Sequence, residues 1–166
     1  MKKISFCLFM VIGLVFSAQA QENISENTIG VRFGNHYGLE VEITYQRMLS
    51  PKNRLELNTG WSSSNHTEAF KLFGIYQWYW NIEKGLYWYT GGGGGFGTWN
   101  TDNDYDNPYA NDNGFFMVAT GDIGVEYHIK GVPIQLSLDG RPEYVFNSFE
   151  KDNFGFNAGV AIRYKF

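Results

Sequence analysis

Thiol chemistry is all but absent from this sequence. One of its 166 residues is cysteine, Cys7, and it lies in an N-terminal segment expected to be removed. The remainder then has no thiol and no disulfide. No small-residue lipoprotein box precedes Cys7, so a covalent lipid site of that kind is excluded too. After residue 20 no apolar run reaches the roughly 20 residues that a membrane helix needs. No stretch repeats its apolar residues at helical spacing. A basic stripe is also missing: 13 Lys and Arg stand against 17 Asp and Glu, a net charge of −4, which argues against nucleic acid as a partner.

What is present begins with an export signal. Lys2 and Lys3 precede an almost wholly apolar run over residues 4–16, and Ala18-Gln19-Ala20 supplies the small-x-small pattern of a cleavage site. A single membrane anchor would need a longer run. Residues 1–20 therefore read as a signal peptide cleaved after Ala20, and residues 21–166 as one domain. That domain keeps 11 basic and 17 acidic residues, a net charge of −6. Its aromatic content is high, 18 %, yet mean hydropathy over the chain is −0.31. A chain with one very apolar face and one polar face satisfies both.

From about residue 27 onward, apolar residues recur at every second position, the period of a strand. Leu39, Val41, Ile43 and Tyr45 enclose Glu40, Glu42 and Thr44. The run Phe154, Phe156, Ala158, Val160, Ile162, Tyr164, Phe166 alternates with Gly155, Asn157, Gly159, Ala161, Arg163, Lys165. Eight strands follow, over about 28–36, 38–49, 54–63, 69–82, 86–99, 115–129, 133–146 and 154–166. Tight turns at Ser50 to Asn53, Glu83 to Gly85 and Lys130-Gly131 alternate with longer polar loops over 62–68, 100–114 and 147–153. Short turns at one end and longer loops at the other mark an all-β, eight-stranded antiparallel up-and-down transmembrane β-barrel.

Alternation does not say which face points outward, and a soluble, lipocalin-like periplasmic binding barrel has the same period with its apolar face inside. Size decides between them. Eight strands enclose just enough room for side chains, so the bulky Phe, Tyr, Trp and Leu residues belong outside, with Gly, Ala, Ser, Asn and the charges inside. Trp61, Trp78, Trp80, Trp88 and Trp99 then read as interfacial girdles.

The chain resembles the small outer-membrane β-barrel proteins, in the manner of the OmpA transmembrane domain and OmpX, and closer still the barrels of this type from Bacteroidetes. The resemblance is carried by Gly85-Leu86-Tyr87-Trp88-Tyr89 running into Gly91 to Gly95, by Gly124 to Tyr127, by Pro133 to Asp139 and by Gly159 to Phe166. It implies a bacterial outer-membrane location among lipid and lipopolysaccharide. It also implies a monomer and passage through the barrel-assembly machinery, with Tyr164 and Phe166 in the assembly signal. Pro142 departs from the pattern. It lacks a ladder donor inside a strand, so a bulge or an early strand end is expected there.

Strand parity turns Arg32, Glu40, Glu42, Glu56, Lys71, Asp122, Glu126, Asp139, Arg141, Glu143, Arg163 and Lys165 into the lumen. They form either a salt-bridged plug or an ion pathway, and the cost of unpaired buried charge favours the plug. A narrow pore or small-molecule carrier is the alternative. Gly91 to Gly95 lacks the Lys-Ser/Thr of a phosphate loop and reads as a strand device. Asp102, Asp104 and Asp106 resemble the start of a calcium loop. Asn107 and Asn113 stand where its Gly and Glu belong, so a solvated loop is expected, with no metal and no cofactor. A lipid A-modifying barrel enzyme would need Ser, His and a carboxylate together on one wall. His36 and His66 fall near loops, Ser62 to Ser64 lie close to His66, and His128 neighbours Glu126 without a serine beside it in sequence. No enzyme is expected.

Overall fold

Alternating β-branched and aromatic residues favour extended chain, and each strand so formed has two edges that must be paired. The computed structural model describes residues 27–35, 39–64, 67–101, 112–146 and 153–166. The expected signal peptide, His36, His66, Asp102, Asp104 and Asp106 lie outside them.

The strands are β1 (Asn27–Asn35), β2 (Leu39–Ser50), β3 (Asn53–Ser64), β4 (Thr67–Glu83), β5 (Leu86–Thr101), β6 (Asp112–His128), β7 (Ile134–Phe146) and β8 (Phe154–Lys165). Each pairs antiparallel with its neighbours, and β8 returns to β1, so the sheet is a closed barrel with no free edge. Followed once round, the registers return to β1 displaced by ten residues. With ordinary strand spacing this stagger tilts the strands by about 40° and gives a backbone radius of about 8 Å. Side chains alone can fill such a bore.

The short turns lie at one end. Pro51-Lys52 and Lys84-Gly85 each reverse the chain in two residues. Gly85 takes φ +85° and Gly131 φ +79°, a conformation that costs other L-residues about 1–2 kcal/mol. At the same end the backbones of Asn27 and Phe166 bond reciprocally at 3.0 and 2.8 Å.

The structure corrects the sequence reading in four places. β3 and β4 remain paired out to Ser64 and Thr67, so most of the loop expected over 62–68 is strand, its polar residues still using the ladder for their backbone groups. β7 runs through Pro142 with neither a bulge nor an end. Its register to β6 is the same on both sides of the proline, and Gly121 opposite leaves room for the ring, because a Cβ there would lie 3.0 Å from Pro142 Cγ. Trp99 is no girdle residue: it shares the inward parity of Tyr89 and lies over Gly114, whose Cβ would come within 2.7 Å of the indole. Bulk is also not confined to the outside. Phe73, Ile75, Phe116 and Val118 are buried in the lumen, in space left by the inward glycines of β5.

Candidate functional site

The lumen gathers the charged side chains because the same alternation that turns apolar residues outward turns these inward. Arg32, Glu40, Glu42, Glu56, Lys71, Asp122, Glu126, Asp139, Arg141, Glu143 and Arg163 are all buried, while Lys165 is half-buried at the short-turn mouth. Arg54, not singled out from the sequence, is buried with them. It shares the parity of Glu56, and that was its only signal.

Arg141 stands at the centre. Its Nη1 lies 2.7 Å from Glu42 Oε2 and its Nη2 2.5 Å from Glu56 Oε1, with Asp122 and Asp139 at 3.6 and 3.7 Å from Nε. Arg32 reaches Asp139 at 2.6 Å and Glu42 at 3.3 Å and donates to Asn157 Oδ1 at 3.2 Å. Arg163 donates to Thr44 and Ser137 and lies 3.4 Å from Glu56. The glutamines stitch these groups together: Gln46 and Gln77 both donate to Glu56, and Gln77 also donates to Asp122. Charges from six strands thus meet in one bonded web, which offsets the desolvation that each would suffer alone.

Toward the long-loop end, Lys71 Nζ sits 2.7 Å from Glu40 and 3.0 Å from Glu143. At the same end an open groove of about 740 Å³ lies at the rim of the wall, lined by the outward-facing Trp61, Phe70 and Phe115 together with Trp99, with Ser62, Glu68 and Asn113 as polar neighbours.

Toward the short-turn end, Arg54 donates to Gln77 at 2.5 Å and to Glu126 at 2.6 Å. Its guanidinium is 4.8 and 4.5 Å from the ring centres of Tyr79 and Tyr89. His128 Nε2 lies 2.7 Å from the other oxygen of Glu126 and 3.2 Å from the Tyr79 hydroxyl. Lys165 Nζ is 3.5 Å from His128 Nδ1. An ammonium has only protons to give, so Nδ1 accepts and the Nε2 proton faces Glu126. A second cavity, of about 240 Å³, opens here between Arg54, Glu126, His128 and Lys165.

The His128 cavity has no Ser or Cys among its described lining. Among the described residues no group of three or more His, Cys, Asp and Glu is placed to hold a metal ion.

No family model and no curated protein sequence matches the chain. Among solved structures it is similar to the N-terminal β-barrel domain of Pseudomonas aeruginosa OprF, at 15 % identity over 85 % of this chain and 97 % of that one, with a TM-score of 0.63. It is similar to the Neisserial surface protein A at 12 % identity, 86 % and 96 % coverage and a TM-score of 0.62. It also resembles a barrel from the de novo design of transmembrane β-barrels, at 18 % identity, 88 % and 99 % coverage and a TM-score of 0.54. The likeness establishes the architecture of the small outer-membrane barrels. One of the three is a designed protein, so the shared fold brings no activity with it.

Proposed function

We propose that this chain is an integral β-barrel of a bacterial outer membrane, its lumen closed by its own ion pairs. Its role is structural or surface-interacting, carried by the loops at the long-loop end. The observation behind this reading is the inversion of its faces. Arg32, Arg141, Glu42 and Glu56 are wholly buried, while Leu138, Val160, Ile123 and Phe156 are more than half exposed on the outer wall. A soluble carrier would have those faces the other way round. On β4 the outward residues from Phe70 to Trp80 carry no charge. At the barrel's tilt they span about 25 Å, the height of the apolar band of a spanning barrel. Trp78, Trp88 and the stacked Trp80–Trp88 pair, 4.5 Å between ring centres, mark one border, and Trp61 with Phe70 at 5.5 Å marks the other. Closure removes the unpaired edges that a waterless bilayer core does not tolerate.

In this reading the partners are lipid and lipopolysaccharide around the wall, and the barrel-assembly machinery during biogenesis. A web of direct ion pairs in a bore of about 8 Å radius favours a plug over a pore.

Heat-modifiability in the outer-membrane fraction tests the membrane barrel. Unboiled protein is expected to stay with that fraction and run faster than boiled protein; a soluble periplasmic protein with no mobility shift refutes the reading. Planar-bilayer recording tests the plug. A steady, ion-selective conductance from the purified protein would replace it with a narrow pore.

A further inference from the structure

The apolar band of the outer wall is broken by one charge. Between the turns, the outward positions of the described strands carry two charged residues, Arg47 on β2 and Glu68 on β4. Glu68 stands at the long-loop rim in a polar row with Ser63, Asn100 and Asn113, where the wall gives way to water. Arg47 stands at no such rim. It pairs with Asn27 on one side and Leu55 on the other. The registers and the tilt put it level with Trp78 and Trp88, about 7 Å from the height of Ile123 toward the short turns. Arg47 is exposed, and it makes no hydrogen bond or ion pair with any described residue. A guanidinium facing hydrocarbon without a counter-ion is costly, so this position calls for an anion from outside the chain.

We propose that Arg47 holds the phosphate of a glycerophospholipid in the leaflet at the short-turn end, an inference that rests on the membrane reading above. Its apolar stem follows the wall between Tyr45 and Leu49, and its charged head reaches the headgroup layer. There the planar guanidinium gives two parallel N–H bonds to phosphate oxygens. Asn53, two positions from Leu55 on the same face and bonded to the Tyr76 hydroxyl at 2.7 Å, sets a second polar group beside the headgroup. Trp78 and Trp88 mark the boundary between acyl chains and headgroups at this height. The two ends of the wall decide the leaflet. Lipopolysaccharide phosphates would lie at the opposite rim, where the outward face offers Glu68 and no cation.

Native mass spectrometry of the folded protein from maltoside micelles, titrated with phosphatidylglycerol and separately with diacylglycerol, tests this. Phosphatidylglycerol is expected to fill one preferred site, about tenfold more weakly in Arg47→Gln. Arg47→Lys keeps the charge and should keep most of the binding. Diacylglycerol, the same lipid without its phosphate, should bind parent and variants alike. Lys52→Gln removes the charge of the nearest turn and should bind as the parent does. Equal phosphatidylglycerol binding by the parent and Arg47→Gln overturns the proposal. So does a loss confined to Lys52→Gln, because the lipid would then sit on the turn. A cross-linked dimer of the parent in vesicles that Arg47→Gln dissolves also overturns it, since the arginine would then face a second protein. The mobility shift on unboiled gels separates the two readings: a shifted parent without lipid preference sinks the site alone, and an unshifted parent sinks the membrane barrel.

Discussion

Arg141 shows what a single residue does in this barrel. Both terminal nitrogens and Nε face carboxylates from β2, β3, β6 and β7, so one side chain balances charge from four strands. Removing one partner of a buried ion pair typically costs about 3–5 kcal/mol, because the groups left behind stay buried and unpaired. Arg141→Met should therefore destabilise the barrel by about that amount, measured by urea unfolding in lipid vesicles with tryptophan fluorescence. Adding Glu42→Met and Glu56→Met should deepen the loss rather than recover it, because Arg32 and Arg163 then lose Glu42 and Glu56 and stay buried. A single variant that unfolds like the parent would mean that water already screens these charges and that the lumen is open.

At the scale of the strand, β5 sets the shape of the interior. A Cβ on Gly93 would lie 1.9 Å from the Gly74 carbonyl oxygen and one on Gly95 2.1 Å from that of Leu72, whereas one on Gly92 would meet only Thr120 O at 3.8 Å. Backbone cannot move aside as a side-chain tip can, so Gly93→Ala should abolish most of the heat-modifiable form. Gly92→Ala, in ordinary contact on the outer wall, should fold at the parent yield, and equal yields for the two would refute this account. The same strand explains what the sequence could and could not reveal. Parity alone places Arg32, Glu42 and Arg141 on the inner face, because on β1, β2 and β7 one face is plainly charged and the other plainly apolar. On β4 the outer face is apolar and the inner face is mixed, with Phe73 and Ile75 between Lys71 and Gln77. That Phe73 and Ile75 turn inward is intelligible only beside the bare inner face of β5, a fact about neighbours and not about β4. Arg54 escaped notice because it stands next to a turn, where a charge ordinarily means solvent. Pro142 misled because its ring fits only opposite Gly121, more than twenty residues away in sequence.

At the scale of the whole molecule, the two ends differ as much as the two faces. Lysines crowd the short turns, and the long-loop end holds Glu40 and Glu143 around Lys71. Between the ends runs the apolar wall, and its response to charge should depend on depth. On β6, Ile123 is 55 % exposed near mid-height, and Tyr127, 44 % exposed, lies in the aromatic border beside the short turns. An arginine on the lipid face costs about 2–4 kcal/mol at the midplane of a bilayer and about 0–1 kcal/mol near its edge. Ile123→Arg should therefore lower folding stability in vesicles by about 2–4 kcal/mol and Tyr127→Arg by less than about half of that. Both positions point away from the ion-pair web, so neither variant disturbs the lumen directly. In water, an arginine at either exposed position would be close to neutral. A depth-dependent loss in bilayers thus identifies the solvent that this wall was built to meet, and equal, small effects at both positions would return the chain to the periplasm.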